Sequence, residues 1–434
     1  MAVEAAQRCL SGRSDDRVDA LFFASTTAPY AEKSHASLIA TACDLKDEIS
    51  TADFAHTARA GSSALIAALH AVASGDTAQA LVTAADCPLA YPKSDQEQLG
   101  GDASAAVLIA QEDLVAVHKA TFSVNNEILD TWRNYGEIFG NTSEARFASD
   151  KGYHLAMAKA VGGLLKKAGL SPKDVGRLVL ASPGLKDAAQ LGKRLGFAPE
   201  QIQDPLMTQV GYCAAAQPLL LLASALEAAA PGDLIVLAAY GTGADAFLFQ
   251  ATDAVSRVRE GAMVARSLEE KGSLGSYSRY LSFRGILETL PGEPFRTFPS
   301  TSAYWRDQKA ILRFHGGRCR KCGTVTAAIN RICPNCGAKD DYEEVRLSGR
   351  KAAVFSYSVD NLAGRSDDPV VVQTVCEDDE KTRYYLLMTD FDSNSVRVGM
   401  PVEFTFRKIY VGGNYINYYW KCRPAVTGGA ASCR

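Results

Sequence analysis

Four cysteines constrain this chain more than any other feature of the sequence. They form two C-x-x-C pairs, at Cys319, Cys322, Cys333 and Cys336. Two such knuckles predict a closed tetrahedral sulfur site for structural zinc. Because a closed site leaves no position for water, the metal is expected to fold the segment and to take no part in chemistry. Gly323, Gly337 and Pro334 suit tight knuckle turns, which disfavours the alternative of free thiols in a reducing cytosol.

Composition indicates an ordinary globular protein of two or three domains. The chain has 434 residues, of which 47% are hydrophobic and 22% charged, and its formal net charge is -3. This charge gives no reason to expect nucleic acid as a partner. No secretion signal or membrane-spanning run is recognisable in the sequence, and the 11 cysteines fit a reducing compartment. We therefore expect a cytoplasmic location and no membrane association.

The first part of the chain, residues 1–255, alternates strand and helix patterns. Buried strands are predicted at Ala20–Ser25, Ala80–Ala85, Ala105–Ile109, Arg177–Ala181 and Leu234–Ala239. Helices are predicted at Ser62–Ser74, His154–Ala168, Leu185–Leu195 and Ala214–Ala229. Continuous apolar strands between helices indicate an α/β domain whose sheets are covered on both faces.

The rest of the chain changes character twice. Residues 256–300 are rich in glycine and proline and predict a linker, after which a helix is predicted over Thr301–Phe314 and the zinc ribbon completes residues 301–340. Residues 341–434 alternate with a period of two. Strands are predicted at Lys351–Val359, Val370–Cys376, Arg383–Met388 and Val402–Tyr410. Several short strands in such a span favour a small all-β barrel of the OB type.

Several segments of the first 255 residues resemble the thiolase superfamily, in its hydroxymethylglutaryl-CoA synthase and ketoacyl synthase III branch. These segments are Asp19–Tyr30, Thr51–Leu65, Ala84–Ala90, Leu99–Ala110 and Pro231–Phe247. The resemblance implies two similar halves stacked as a five-layer αβαβα domain, usually dimeric, which acts on acyl-CoA thioesters. It also implies an opening strand before a helix like Met1–Leu10, and we expect that strand to lie upstream or to be lost.

The same resemblance indicates that the catalytic apparatus is degenerate. The family chemistry needs a cysteine thiolate at a helix N-terminus, a histidine, and an asparagine partner. When the motifs are aligned with those of the family, Ala58 takes the position of the cysteine. Ala181 or Ser182 takes the position of the histidine, and Tyr212 takes that of the asparagine. Three substitutions in register predict that covalent acyl transfer has been lost.

Other groups are candidates to replace the missing residues. Cys213 and Cys87 are possible surrogate nucleophiles, although a lone cysteine is more often a buried apolar residue. His56 is a possible base, and Glu144 falls near the family's catalytic glutamate in a poorly aligned loop. The glycine-rich segment Tyr240–Asp245 either shapes a pocket or allows a tight turn.

From Ser302 onward the chain resembles the DUF35 family, which joins a rubredoxin-like zinc ribbon to an OB-fold. The lead-in helix, the cysteine pairs, and the segments Leu347–Val359 and Val396–Phe404 carry this resemblance. Such modules accompany thiolase-like proteins and are thought to bind or gate acyl-CoA. Arg318, Arg320 and Lys321 are candidates for contacts with CoA phosphates, with a solvated basic turn as the alternative.

These patterns together predict a non-catalytic thiolase-like domain fused to an acyl-CoA-binding module. The resemblance implies work in a complex with a separate, cysteine-bearing thiolase or acyltransferase that makes or breaks carbon–carbon bonds in acyl-CoA. A homodimer or hetero-oligomer through the thiolase-like domain is expected. The alternatives are an enzyme that uses Tyr212, His56 or Cys213, and an OB protein that binds single-stranded nucleic acid through its aromatic tail. The sequence leaves the acyl substrate and the partner unidentified.

Overall fold

The computed structural model of the protein describes residues 1–13, 17–288, 299–364 and 368–425. The chain forms two compact units. The first comprises Met1–Ala40 and Leu45–Ser273, and the second comprises Thr41–Asp44 and Leu274–Arg434. Within the described ranges, no helix combines the length and apolar character that crossing a bilayer requires.

The first unit contains two four-stranded sheets with helices on their faces. Its helices are α1 Ala2–Leu10, α2 His35–Ala42, α3 Ala60–Ser74, α4 Asp95–Leu99, α5 Ala145–Phe147, α6 Leu155–Ala168, α7 Asp187–Arg194, α8 Gln217–Ala228, α9 Ser256–Gly261 and α10 Met263–Glu269. Its strands are β1 Val18–Ala24, β2 Ser50–Phe54, β3 Gln79–Asp86, β4 Ala103–Ala110, β5 Ala116–Asn125, β6 Thr131–Trp132, β7 Asn141–Thr142, β8 Arg177–Leu180, β9 Leu234–Tyr240 and β10 Gly243–Ala251.

The two sheets have related strand orders. In the first, β2-β1-β3-β4, strand β1 runs parallel to β2 and β3, and β4 runs antiparallel to β3. In the second, β5-β10-β9-β8, strands β8 and β9 are parallel, and β10 is antiparallel to β9 and β5. Strands β1, β3 and β9 are buried along almost their whole length, as expected for strands covered on both faces.

Helices α3 and α8 pack between the two sheets. Their buried alanines, among them Ala64 and Ala225, form one core with side chains from both sheets. Small side chains allow the backbones to approach closely here: a Cβ on Gly61 would lie 2.1 Å from the carbonyl oxygen of Ala215. Helices α6 and α7 cover the other face of the second sheet, and α1 packs on β3 and β4 of the first.

Most predicted elements of this unit are confirmed, and the missed strands include both half-exposed strands and the buried β10. All five predicted strands and all four predicted helices are present, with shifted ends. The sequence did not predict β2, β5 or β10. Strand β2 is short and lies at a sheet edge, and β5 carries His118 and Lys119, so neither shows a continuous apolar run.

The second unit contains a three-stranded and a five-stranded sheet. Its helices are α11 Tyr277–Phe283, α12 Thr301–Arg306 and α13 Gln308–Ile311. Its strands are β11 His315–Cys319, β12 Val325–Thr326, β13 Tyr342–Arg346, β14 Ala352–Asp360, β15 Val371–Asp378, β16 Arg383–Leu387, β17 Pro401–Gly412 and β18 Tyr415–Pro424. The sheet orders are β12-β11-β13 and β16-β15-β14-β17-β18.

An aromatic core holds the five-stranded sheet together. The rings of Phe314 and Trp420 stack with centroids 5.2 Å apart, and the Trp420 indole N–H donates to the carbonyl of Leu312 at 3.0 Å. A bridge between Met388 and Cys422 brings the two ends of the sheet together, which is compatible with a small barrel. The four predicted strands are confirmed, whereas β18, an aromatic-rich strand, was not predicted.

The predicted linker contains helices, and the predicted lead-in helix needs correction. Residues 256–288 contain α9, α10 and α11, which are too short to show a clear period in the sequence. The predicted helix Thr301–Phe314 is divided at Asp307 into α12 and α13. Residues 289–298, with three of the prolines and glycines that suggested a linker, lie outside the described residues.

Two glycine-to-alanine changes are expected to have opposite effects on the free energy of unfolding, because Gly61 contacts Ala215 and Gly162 faces open space. Gly162→Ala, in helix α6, has open space for its methyl and should stabilise the fold by up to about 1 kcal/mol through helix propensity. Gly61→Ala should destabilise it by about 2 kcal/mol or more, because the methyl meets a backbone carbonyl. Urea unfolding of both variants measures these effects, and a stabilised Gly61→Ala would contradict the packing described here.

Candidate functional site

The N-terminus of α3 lies where the family resemblance places the nucleophile, and a methyl group stands there. Ala58 immediately precedes Arg59, the N-cap residue of α3. The Arg59 and Ala60 amides donate to Thr57, at 3.3 Å to its hydroxyl and 2.9 Å to its carbonyl. Thr57 in turn donates its hydroxyl to the Gly241 carbonyl at 3.1 Å. The amides of Arg59 and Ala60 therefore already have acceptors within the chain.

A buried carboxylate holds the side chains at this helix end. Asp245 is 2% exposed, and it accepts hydrogen bonds from Arg59 Nη1 at 3.3 Å and from Ser62 Oγ at 2.7 Å. A Cβ on Gly241 would lie 2.6 Å from the Arg59 amide nitrogen. The glycine-rich segment Tyr240–Asp245 thus packs tightly against the start of α3, which accounts for Gly241 by close backbone approach.

The positions equated with histidine and asparagine are occupied by groups suited to packing. Ala181 continues β8 and donates its amide to Ala238 at 2.9 Å, and the buried Ser182 hydroxyl donates to the Gly184 carbonyl at 2.8 Å. Tyr212 lies on the loop before α8, where its amide donates to the Leu99 carbonyl at 2.6 Å. Burial raises the pKa of the Tyr212 phenol, so the group is neutral at physiological pH.

A cluster of tyrosines beside Tyr212 was not predicted. The Tyr240 hydroxyl donates to the Asp130 carboxylate at 2.5 Å, and burial followed by this hydrogen bond raises the pKa of Tyr240. The rings of Tyr240 and Tyr153 meet edge to face at 5.5 Å, and burial raises the pKa of Tyr153. Tyr153 lies in a π-helical turn, Ala148–His154, for which the sequence carried no signal.

Asp86 joins three segments around this cluster. Its carboxylate is fully buried at the end of β3. Its six donors are the Ser25 hydroxyl at 2.8 Å, the Thr26 amide and hydroxyl at 2.7 and 3.2 Å, the Thr27 amide and hydroxyl at 3.0 and 2.8 Å, and the Ala215 amide at 2.8 Å. The end of β1 and the loop that carries Tyr212 are thereby held at one carboxylate. In the sequence, the segment around Asp86 is recognisable only as part of the family resemblance, and no pattern indicates the role of this carboxylate.

The proposed surrogates occupy different environments. Cys213 is fully buried, and burial raises the pKa of its thiol to about 12. Cys87 is half-buried beyond β3, and its amide donates to the Thr27 hydroxyl at 2.9 Å. His56 is exposed and has a left-handed backbone, with φ of 70°, and Glu144 is exposed at the start of α5. A thiol like Cys213 is a poor nucleophile because so little of it ionises.

The four predicted metal ligands meet in the second unit. The sulfur atoms of Cys319, Cys322, Cys333 and Cys336 all lie within 4.8 Å of one another. The Cys319–Cys336 and Cys322–Cys333 separations are 3.7 and 3.5 Å. A tetrahedral site with Zn–S bonds of about 2.3 Å requires sulfur separations of about 3.8 Å, so the donor set fits zinc.

Glycines shape the two turns that carry these cysteines. The Gly323 amide donates to the Cys319 carbonyl at 2.8 Å, and the Gly337 amide to the Cys333 carbonyl at 3.0 Å. Both glycines have φ of 72°, a left-handed conformation in which a side chain is strained. Each knuckle therefore returns the chain so that its two sulfur atoms face the same point.

The basic residues around the first knuckle differ in availability. Arg318 forms an ion pair with Glu380 at 2.9 Å and approaches Glu343 at 3.8 Å. Arg320 and Lys321 are exposed. The charge of Arg318 is thus balanced within the unit, which weakens its case as a phosphate contact, whereas the other two side chains face solvent.

Comparison with known proteins agrees with this architecture. Residues 165–248 match the family described as 3-oxoacyl-[acyl-carrier-protein (ACP)] synthase III C terminal. The solved structures "MvaS in complex with 3-hydroxy-3-methylglutaryl coenzyme A" and "Crystal structure of HMG_CoA synthase complexed with CoA" are 21% and 18% identical, with TM-scores of 0.58 and 0.59. Each match covers 69% of this chain and 82% of the other. The fold is therefore that of the thiolase-like condensing enzymes.

Curated relatives identify the branch. The hydroxymethylglutaryl-CoA synthase of Methanopyrus kandleri is 30% identical over 293 residues, which cover 66% of this chain and 83% of that protein. The hydroxymethylglutaryl-CoA synthase of Aeropyrum pernix is 31% identical, with 66% of this chain and 81% of that protein covered. The chain belongs to the hydroxymethylglutaryl-CoA synthase family.

The environment of Cys213 predicts slow and strongly pH-dependent alkylation. With a pKa of about 12, only about one thiol in 10⁴ to 10⁵ is ionised near pH 7.5, and this fraction rises about tenfold per pH unit. Native protein treated with iodoacetamide should leave Cys213 unmodified while the half-buried Cys87 reacts, as peptide mass spectrometry would reveal. Labelling after denaturation is the control. Rapid labelling of native Cys213 at neutral pH would contradict its burial.

Proposed function

We propose that this protein is a catalytically degenerate subunit that works with a separate, cysteine-bearing thiolase or acyltransferase on acyl-CoA. Its thiolase-like domain would provide a platform for assembly. Its second unit, interpreted as a rubredoxin-like zinc ribbon and an OB-fold, would bind acyl-CoA beside the partner's active site. The acyl group, the partner and a cytoplasmic location are parts of this proposal.

The environment of Ala58 is the observation that carries the proposal. An acyl-cysteine intermediate requires a thiol at the mouth of the helix, and Ala58 has only a methyl group. The Arg59 and Ala60 amides at this helix end donate to Thr57, so these two are not available to polarise a thioester carbonyl. The general base is also missing if Ala181 corresponds to the family histidine, because alanine cannot take or give a proton.

The alternative of an independent enzyme has less support at the surrogate residues. Cys213 is buried with a raised pKa, and His56 is exposed. The phenol of Tyr212 also has a raised pKa, which disfavours a phenolate base. The tyrosine cluster with Asp130 is the feature that favours the alternative, since buried hydroxyl groups can donate hydrogen bonds to a bound carbonyl.

The ligand class rests on the relatives. Two structures with this fold are described as complexes with CoA or its 3-hydroxy-3-methylglutaryl thioester. In this chain, the exposed Arg320 and Lys321 would meet the phosphates of CoA, while Arg318 would keep its ion pair with Glu380. Zinc would serve only to fold the ribbon, because four thiolates complete its coordination.

Radiolabelled acetyl-CoA distinguishes the two functions. The purified chain incubated alone should acquire no stoichiometric acid-stable label, because no thiol is available at the helix mouth to accept the acetyl group. The matched control is a cysteine-bearing hydroxymethylglutaryl-CoA synthase treated identically, which should be labelled. Addition of a candidate thiolase should then produce turnover that exceeds the turnover of the thiolase alone. Stoichiometric labelling of the isolated wild-type chain would refute the degenerate-subunit proposal.

Removal of zinc should unfold the ribbon and spare the first unit. A strong chelator or Cys333→Ser should release one zinc per chain, because a three-thiolate site binds far more weakly. Elemental analysis measures the metal, and limited proteolysis should then cleave near residues 319–340 while a fragment of about the first 270 residues survives. Cys376→Ser, a buried cysteine outside the cluster, is the control and should retain zinc.

A further inference from the structure

Strand β14 has a half whose side chains are exposed and one of whose backbone edges is unpaired within the described residues. Its first part, Ala352 and Ala353, pairs with β17 on one side and β15 on the other. Phe355 lies in a bulge, and from Ser356 to Asp360 the only described strand that pairs with β14 is β15. Within the described chain no strand lies along the second edge of this half, so alternate amides and carbonyls there face outward.

The side chains of this half are also exposed. All five residues from Phe355 to Val359 are solvent-exposed, although their partners on β15 are half or fully buried. Phe355, Tyr357 and Val359 are 44%, 38% and 37% exposed. A paired strand that shows aromatic and aliphatic side chains to solvent and keeps an open edge has the features of a surface that another strand covers.

Two of the usual protections against pairing, a charged residue and a proline, are absent from this edge. The run F-S-Y-S-V contains no charged residue and no proline. A bulge lies at its start, between Val354 and Ser356, and beyond it the register with β15 is regular to Asp360. The Arg383 guanidinium stacks at 3.8 Å on the Phe355 ring, but it belongs to β16 and leaves the edge itself open.

The sequence of the strand suits a second copy of itself. In an antiparallel two-fold arrangement about Tyr357, Phe355 lies opposite Val359 of the second copy and Ser356 opposite Ser358. Apolar groups then meet apolar groups, hydroxyls meet hydroxyls, and no like charges oppose each other. The register ends naturally at Phe355, because Val354 already exchanges backbone hydrogen bonds with Gly399 and Met400 at 2.8 and 2.9 Å.

We propose that the β14 edge, Phe355 to Val359, is a self-association surface that pairs antiparallel with the same segment of a second chain about Tyr357. The two five-stranded sheets would thereby join into one continuous sheet. This contact is separate from any dimer formed through the thiolase-like domain. Because five-residue strands bury less area than a standard interface, the association is expected to be concentration-dependent in the micromolar range.

Sedimentation velocity of the full-length chain at increasing concentration tests the proposal. The weight-average mass of the wild type should roughly double over about 1 to 100 µM. Tyr357→Asp should abolish this increase, because it places two carboxylates together at the two-fold axis. Tyr385→Asp is the matched control, since this tyrosine is 69% exposed on β16 and away from the edge, and it should leave the increase intact.

Cross-linking tests the register independently of the other assembly. Under mild oxidation, Tyr357→Cys should form a disulfide between chains, whereas Tyr385→Cys should give no more cross-link than wild type. Phe355→Cys and Val359→Cys should each remain uncross-linked alone and form a mixed disulfide when combined. Circular dichroism and bound zinc confirm that each variant is folded. A wild-type mass independent of concentration, an increase that persists in Tyr357→Asp, or an absent Tyr357→Cys disulfide would overturn the proposal.

Discussion

The buried carboxylate of Asp86 is the interaction on which the organisation of the candidate site depends. It lies at the end of β3, and its hydrogen bonds tie the end of β1 and the loop before α8 to the same point. A buried carboxylate is costly unless donors satisfy it, so these segments have little freedom to separate. The position of Tyr212 beside the tyrosine cluster follows from this constraint, and so does the contact between α3 and Ala215.

Within that frame, the chain has the fold of a condensing enzyme, and Ala58 lies where the family resemblance places the nucleophile. At the helix end beside Ala58, Thr57 accepts from the Arg59 amide, and the buried Asp245 accepts from the Arg59 guanidinium. Next to it, Tyr153 packs on Tyr240, which donates a hydrogen bond to Asp130. Such a centre is better suited to packing or binding than to covalent acyl transfer, which is why we place catalysis in a partner.

The second unit depends on a different constraint, because a small all-β segment has little core of its own. The stacked rings of Phe314 and Trp420 and the four-sulfur cluster are expected to add stability that the short strands alone do not provide. The exposed half of β14 is a consequence of this small core. Its aromatic side chains find no place in the core and remain available for association.

The sequence by itself determined the α/β character of the first unit, the β-rich second unit and the grouping of the four cysteines. These features appear as local patterns, namely continuous apolar runs, period-two alternation and C-x-x-C spacing. Local patterns can be recognised from the sequence alone. Among the strands that it missed are the edge strands β2, β5 and β18 and the central strand β10. Of these, β5 pairs with β10, which lies far along the chain, whereas β10 and β18 each also pair with the strand directly before them.

Only the tertiary structure decided the composition of the site and the availability of each charged group. Asp130, Tyr153 and Tyr240 come from separate segments, and their spacing along the sequence does not indicate that they are in contact. The sequence does not indicate that the Arg318 guanidinium has an ion-pair partner, whereas the structure places Glu380 beside it. The environment of a side chain is set by long-range packing and burial, which a pattern along the chain does not encode, whereas the period of a strand or a knuckle is set by its own neighbours.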